Sequence, residues 1–432
     1  MSATTALVLA AFIPLLAAAI VLAVRAPLRY LLVVYALLVP FGSGFNLPLG
    51  LPQRFETVSS LLGILTAVAV VANLAVSKRR STRLLPSVPL WMLFIGLVAM
   101  TSLWSFDRQV TVAEFFVIFS VAALFLVISL MPVQRSDVRA LEVAIVVSGA
   151  IIAISGLIML AQGSLPTTEG GTPRLATAGG GGGKGAGANI TAATLLLPLA
   201  VSAGRGLRAS RMASRLVWFA TMASIATAIT LTGSRGGLLS LVLMLIVMVL
   251  NERRRIVAGV TALSIVAVIG FVVFQALPDA TRSHVQNTGS SGRTNTWMVG
   301  LTACEEHCWL GSGWGTFGHV YNATLGLSPD STGHRLGARS HSIWVQVTVE
   351  IGFLGITLLL LALGFLLRDV SRLPRQLRGP PFAGLVGVLC ANTFLANLGY
   401  KYVWLAIIYA TMVVLSHDVA QEHEAPEVVL AG

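Results

Sequence analysis

Repeated long apolar segments constrain the fold of this chain more than any other feature. Of its 432 residues, 56% are hydrophobic and only 11% are charged, whereas soluble domains carry about 25% charged residues. A helix needs about 20 mainly apolar residues to cross a bilayer. Segments near that length lie at residues 5–24, 30–45, 57–76, 86–103, 111–131, 140–161, 189–204, 216–232, 237–250, 256–277, 343–367, 382–398 and 402–416. The pattern predicts an all-α polytopic membrane protein with twelve or thirteen transmembrane helices.

Basic residues lie mostly in alternate loops between these segments. The clusters at 25–29, 78–83, 135–139, 205–215, 253–255 and 368–378 hold 19 of the 29 Lys and Arg residues. Basic loops orient membrane helices and stay in the cytoplasm. We therefore interpret the net charge of +12 as a topology signal and predict no nucleic-acid partner.

One polar stretch, residues 278–342, interrupts the apolar pattern and holds five of the seven histidines. The charge distribution places this stretch outside the cytoplasm. The predicted organisation is a membrane part with ten helices at 1–277, a large outer loop containing helices at 278–342, further membrane helices at 343–416, and a disordered cytoplasmic tail at 417–432. We expect the outer loop to carry much of the chemistry.

Two arginines stand where an anion can approach the backbone closely. Arg235 follows Leu-Thr-Gly-Ser where one apolar segment ends and the next begins, and the flanking glycines permit a tight turn. Arg293 begins a predicted helix in Ser-Gly-Arg-Thr-Asn-Thr-Trp, and a guanidinium binds phosphate in bidentate fashion. Both patterns favour an anion site at the outer membrane surface. The alternatives are a snorkelling arginine for Arg235 and a solvated arginine for Arg293.

His341 is the candidate general base. It lies in Arg339-Ser-His-Ser-Ile-Trp344, directly before an apolar segment, and an imidazole titrates near neutral pH, which suits proton abstraction. An interfacial histidine beside Trp344 is the structural alternative. Glu350 lies nine residues further on, which is the opposite face of a straight helix. We therefore expect no direct pair between His341 and Glu350.

The remaining polar motifs are less specific. Thr-Pro-Arg174 precedes five glycines and Lys184, but the spacing is not that of a P-loop, and a flexible linker is expected. Cys304 and Cys308 flank His307; a disulfide and packed helix residues are both open, while the zinc ligand set is incomplete. No Asp-x-Asp pair occurs, so arginines rather than a metal are expected to neutralise a diphosphate.

Three motifs follow one another in the middle of the chain. They are Leu231-Thr-Gly-Ser-Arg235-Gly-Gly, then Gly292-Arg293-Thr-Asn-Thr-Trp297 with Leu310-Gly-Ser-Gly-Trp-Gly-Thr-Phe317, then Ser340-His341-Ser-Ile-Trp-Val-Gln with Glu350-Ile-Gly-Phe-Leu-Gly355. Asn189-Ile-Thr-Ala-Ala precedes them. In this order the set resembles the O-antigen ligase/polymerase family of bacterial inner-membrane glycosyltransferases.

The resemblance implies a GT-C-like membrane enzyme of the Gram-negative inner membrane, with its active site on the periplasmic side. The donor would be O-antigen glycan on undecaprenyl diphosphate, the acceptor a sugar hydroxyl of lipid A–core, and the surroundings membrane lipids. By motif position, Arg235 and Arg293 would hold the diphosphate and His341 would deprotonate the acceptor. Inverting transfer without a metal, a cofactor or an obligate protein partner is implied. We treat four more residues as second-tier substrate contacts: Arg174, Lys184, His319 and Arg339.

Two other readings stay open beside the ligase. An O-antigen polymerase or a protein O-oligosaccharyltransferase shares much of the motif set and differs in its acceptor. A lipid-linked sugar flippase or anion transporter would carry charged residues deep inside several helices, whereas the apolar segments here are nearly free of charge. The chain is compact and lacks an additional outer domain for a protein acceptor, which favours the ligase.

Overall fold

The computed structural model describes residues 28–44, 63–68, 84–167, 172–177, 187–251, 270–286, 292–325 and 339–424, with a few single residues between them. These residues form helices and loops without a β-strand, and one isolated bridge joins Thr167 and Pro173. The helices are α1 Leu28–Leu38, α2 Ser87–Met100, α3 Arg108–Ser129, α4 Arg135–Ala161, α5 Ala188–Arg208, α6 Met212–Leu231, α7 Arg235–Asn251, α8 Asp279–Gln286, α9 Arg293–His307, α10 Phe317–Leu325, α11 Ile343–Arg372, α12 Arg375–Asn392 and α13 Lys401–Glu424.

Six of these helices are long and apolar enough to cross a membrane, namely α3, α4, α5, α6, α11 and α13. Helices α2 and α7 are apolar but shorter. The all-helical membrane class is therefore confirmed. The count of twelve or thirteen spans stays a prediction, because the segments at 5–24, 57–76 and 256–277 lie wholly or largely outside the described residues.

The predicted disordered tail is wrong over its first part. Helix α13 continues to Glu424, whereas the sequence was expected to leave helical structure after residue 416. Residues 417–424 include alanine, glutamine and glutamate, which are strong helix formers, so the apolar helix extends into a polar end. Residues 425–432 lie outside the described part of the chain.

Helices α5 and α12 pack closely in opposite directions. A Cβ atom on Gly384 of α12 would lie 2.9 Å from Leu197 of α5, and Gly204 near the end of α5 packs against Pro380 near the start of α12. Small residues let the two backbones approach. The amino end of α5 and the carboxyl end of α12 therefore lie at the same end of the bundle.

Helix α7 packs on α12 in the same antiparallel sense. A Cβ atom on Gly236 would lie 3.2 Å from Phe394, just after α12, and one on Gly387 would lie 3.1 Å from Met244. The start of α7 thus joins the start of α5 and the end of α12. This end of the bundle carries the candidate site.

Helix α11 is broken at Gly352, where φ is 82° and ψ is −176°. The loop after α9 fits into the break. The amide of Phe353 donates to the carbonyl of Cys308 at 2.8 Å, and the amide of Ser312 donates to the carbonyl of Val349 at 2.9 Å. The break therefore attaches the polar region at 278–342 to the membrane helices.

Glu350 completes this attachment. Its buried carboxylate accepts hydrogen bonds from the amides of Gly315 at 2.8 Å and Phe317 at 3.0 Å and from the side chain of Gln346 at 3.1 Å. A carboxylate without hydrogen bonds is costly to bury, and these donors offset that cost. The second and third sequence motifs are therefore two halves of one structural joint.

Candidate functional site

Three arginines meet at the end of the bundle where α5 and α7 begin. Arg235 is the first residue of α7 and Arg293 the first residue of α9, while Arg174 lies in the segment between α4 and α5. Burial, then Arg235 and Arg293, lower the pKa of Arg174. Burial, then Arg235, lower the pKa of Arg293. The three guanidinium groups form one cluster, which we call the arginine cluster.

Arg174 is the most enclosed member, with 8% of its surface exposed. Its Nε donates to the carbonyl of Thr232 at 2.6 Å and its Nη2 donates to Oδ1 of Asn189 at 3.2 Å. Both acceptors are neutral oxygen atoms, so neither cancels the positive charge. The side chain is thereby fixed against the turn that leads into Arg235.

Arg293 lines a small cleft, and Arg235 stands between two residues of its lining, Ser234 and Gly236. Arg235 donates from Nη1 to the carbonyl of Gly289 at 2.8 Å, and the guanidinium of Arg293 lies 5.9 Å from the ring centroid of Phe394. The cleft is lined by Asn189, Ser234, Gly236, Gly237, Arg293, Ala391, Phe394 and Leu395. Glycines in this lining leave backbone close to whatever enters.

The helix positions of the two arginines are electrostatically unusual. The amino end of a helix carries a partial positive charge and free amide groups, so a cation there is unfavourable and an anion favourable. Arg235 and Arg293 each stand at such an end, beside Arg174. Two helix ends and three guanidinium groups together make a site suited to an anion with several charges.

His341 sits at the edge of this site with an uncommon backbone. Its φ is +48°, the only positive φ at a non-glycine residue in the described ranges. Its neighbours Ser340 and Ser342 are buried, while His341 is exposed. The indole of Trp297 donates to the carbonyl of Ser340 at 2.9 Å. The fixed flanks hold the imidazole outward at a conformational cost of about 1 kcal/mol.

The surroundings of His341 favour its neutral form. Although His341 keeps access to solvent, the protein around the ring partly desolvates it, which lowers its pKa first, and the charges of Arg293 and Arg339 lower it further. A neutral imidazole can accept a proton. His341 therefore has the position and the protonation state of a base beside an anion site.

His284 belongs to the same region, and sequence reasoning did not assign it a role. Burial lowers its pKa first, followed by Arg174, Arg235 and Arg293. His284 is one of the five histidines of the polar stretch, but no local sequence motif marks it as a site residue. Its membership of the site depends on how α8 packs, which is a tertiary contact.

The structure places the four predicted second-tier substrate contacts in different regions. Arg174 lies in the arginine cluster, and Arg339 is close enough to His341 to lower its pKa. His319 contacts the start of α3 instead, with Nδ1 3.9 Å from a carboxylate oxygen of Asp107. Lys184 lies outside the described residues. Substrate contact by any of these residues stays a prediction.

Two further sequence questions are answered by the geometry. The carboxylate of Glu350 bonds to the loop at 315–317, as expected for a residue that does not pair directly with His341. Cys304 and Cys308 form a disulfide, which is one of the two alternatives left open.

Comparison with known protein families gives a match in the middle of the chain. Residues 219–360, about a third of the chain, match the family model described as O-antigen ligase. No curated protein matches the chain. The matched region contains Arg235, Arg293 and His341 and extends past the break at Gly352, while Arg174 precedes it. Residues 219–360 are therefore similar to the O-antigen ligase domain, which supports the resemblance seen in the motifs.

Proposed function

We propose that the protein is an O-antigen ligase, which transfers O-antigen glycan from undecaprenyl diphosphate to a sugar hydroxyl of lipid A–core. The observation that supports this most is the convergence of Arg174, Arg235 and Arg293 beside His341. A lipid diphosphate presents several negative charges at the membrane surface, and a hydroxyl nucleophile needs a base. The cluster and the histidine meet these two needs at one place.

The reaction follows from these positions. The acceptor oxygen attacks the anomeric carbon of the donor sugar while His341 takes the hydroxyl proton. A new glycosidic bond forms as the bond from the anomeric carbon to the diphosphate oxygen breaks, and the electron pair leaves with the diphosphate. A single displacement of this kind inverts the configuration at the anomeric carbon.

The arginine cluster acts on the leaving group. Negative charge grows on the diphosphate as the bond breaks, and fixed cations that need no reorganisation stabilise that charge. Removing one such preorganised group from an active site lowers kcat by about 10²–10³. The three guanidinium groups and the two helix ends can therefore supply the electrostatic part of catalysis, so we predict that the reaction needs no metal.

The experiment is transfer by the purified protein from an undecaprenyl-diphosphate-linked glycan to lipid A–core in the presence of a chelator. Wild type is compared with His341→Ala, Arg235→Ala and Arg293→Ala, and with Arg372→Ala as a matched control, since Arg372 ends α11 at its far end. We expect transfer by wild type and the control, and loss in the three site variants. Full activity of His341→Ala would overturn the mechanism.

The products separate the related functions. Extension of the donor glycan without lipid A–core would indicate a polymerase, and transfer to a protein would indicate an O-oligosaccharyltransferase. Movement of intact donor across the membrane without transfer would indicate a flippase. Periplasmic orientation and an inner-membrane location in a Gram-negative cell are part of the proposal.

A further inference from the structure

We propose that His284 is a further diphosphate-binding residue, which is neutral in the free protein and takes up a proton when a diphosphate occupies the arginine cluster. The inference rests on the proposed function, because it requires a diphosphate at this cluster. It adds a fourth cation that exists only while the ligand is bound.

Helix α8 packs directly on the turn that precedes Arg235. A Cβ atom on Gly233 would lie 3.0 Å from Cγ2 of Thr281 and 3.6 Å from Cγ2 of Val285. The hydroxyl of Thr281 also donates to the carbonyl of Pro173. Residues three and four positions apart share a helix face, so His284 borders the same turn.

The same turn touches the arginine cluster. The Cβ position of Gly233 lies 3.4 Å from Nε of Arg174, and Gly233 is two residues before Arg235. The face of α8 that carries His284 therefore packs beside the guanidinium groups.

The charged groups around His284 come from several elements. Arg174 lies on the segment before α5, Arg235 begins α7 and Arg293 begins α9, and all three disfavour the imidazolium form. On α8 itself, Asp279 and Arg282 pair with each other at 3.2 Å. Without a ligand, partial burial and then the positive field of the three arginines disfavour the charged form of His284.

A bound diphosphate reverses that field. Its negative charges attract a proton to any basic group beside them, and the proton comes from solvent. Because the ligand prefers the protonated imidazole, binding and protonation are linked and each strengthens the other. Binding is therefore expected to take up protons near neutral pH and to tighten as the pH falls.

The test is calorimetric titration of the intact protein in detergent with farnesyl diphosphate near pH 7. Repeating the titration in two buffers of different ionisation enthalpy gives the protons taken up on binding. Wild type is compared with His284→Gln, and with His417→Gln in the remote end of α13 as a matched control. Protonation of the ligand itself is common to all three proteins and cancels in the comparison.

We expect wild type and the control to take up more protons than His284→Gln, by up to about one proton for the single site removed. Affinity in His284→Gln should also respond less to falling pH. His284→Lys carries a permanent charge, so it should bind the ligand with the reduced proton uptake of the glutamine variant. Equal uptake in wild type, His284→Gln and His284→Lys would overturn the role of His284.

The outcomes keep the two proposals apart. If farnesyl diphosphate fails to bind wild type at all, the diphosphate site of the proposed function is wrong. If it binds wild type and all variants with the same proton uptake, the proposed function survives and the inference about His284 is refuted. Because His284→Lys retains a cation, it still decides the question if His284→Gln fails to fold.

Discussion

At the scale of single residues, His341 combines a positive φ with the proposed role of general base. Ser340 and Ser342 are buried on either side, and α11 begins at once with Ile343. Between these fixed neighbours, residue 341 has a positive φ. Asparagine tolerates this conformation well, whereas β-branched residues do not. Substitutions can thus separate the conformation of residue 341 from its proton chemistry.

We predict that His341→Asn keeps its fold and loses transfer. Asparagine can adopt the required backbone, but its side chain is no base, so activity should fall by about 10²–10⁴, the usual contribution of general base catalysis. His341→Val should lose activity and also lower the melting temperature, because a β-branched residue is strained at positive φ. Melting temperature in detergent and transfer rate, measured on both variants, check this. Activity retained by His341→Asn would contradict the assignment of the base.

Arg339 contributes to the pH response of His341. Burial lowers the pKa of the imidazole most, then Arg293, and the charge of Arg339 lowers it further, so removing that last charge should raise the pKa. The base is active only when neutral, and the acidic limb of the profile of kcat/KM should therefore move to higher pH in Arg339→Gln. Arg372→Gln, at the far end of α11, should leave the limb unchanged. An unmoved limb in Arg339→Gln would show that another group titrates there.

At the scale of elements, the glycine at the break of α11 is the most sensitive position. Gly352 has φ of 82°, and a Cβ there would lie 2.5 Å from the carbonyl oxygen of Trp309. Gly364, further along the same helix, has nothing within 4 Å of its Cβ position. A side chain is therefore excluded at Gly352 and has free space at Gly364.

We predict that Gly352→Ala severely destabilises the protein while Gly364→Ala is neutral or stabilising. Alanine at Gly352 would meet backbone and adopt a conformation almost reserved for glycine. Alanine at Gly364 improves helix propensity by up to about 1 kcal/mol. Thermal unfolding in detergent, with transfer activity as a second readout, tests the pair. Similar melting temperatures for the two variants would refute the joint described at the break.

The same elements show which structural features can be predicted from the sequence. The starts of α7 at Arg235 and of α9 at Arg293 could be predicted, because glycine, serine and the onset of an apolar or helical pattern are local signals. The break at Gly352 could not, since it depends on one hydrogen bond that the carbonyl of Cys308 accepts and one that the amide of Ser312 donates, about 40 residues earlier in the chain. His284 was not assigned for the same reason: only the packing of α8 on Gly233 brings it to the arginines.

At the scale of the whole molecule, the polar residues divide between two ends of the bundle. The starts of α5, α7 and α11 carry Asn189, Arg235 and His341. The ends of α5 and α11 carry basic clusters at 205–215 and 368–378. After its break, α11 has 20 residues to Arg372, a length that spans the hydrocarbon core of about 30 Å.

This division predicts which residues are reachable from each side of the membrane. In a chain whose three cysteines are replaced by serine, a cysteine at Ser283 tests the end with the candidate site, and a cysteine at Ser371 tests the end with the basic clusters. Both positions are exposed. Because basic loops stay in the cytoplasm, a membrane-impermeant maleimide should label Ser283→Cys in intact spheroplasts.

Ser371→Cys should react only after the membrane is permeabilised. Transfer activity of both variants serves as the check that each has folded, since neither position lies in the candidate site. Labelling of both positions in intact spheroplasts would mean that the two ends are not on opposite sides. The reverse pattern would place His341 in the cytoplasm, where a lipid-linked glycan presented from outside could not reach it, and the proposed transfer would then fail whatever the geometry of the arginine cluster.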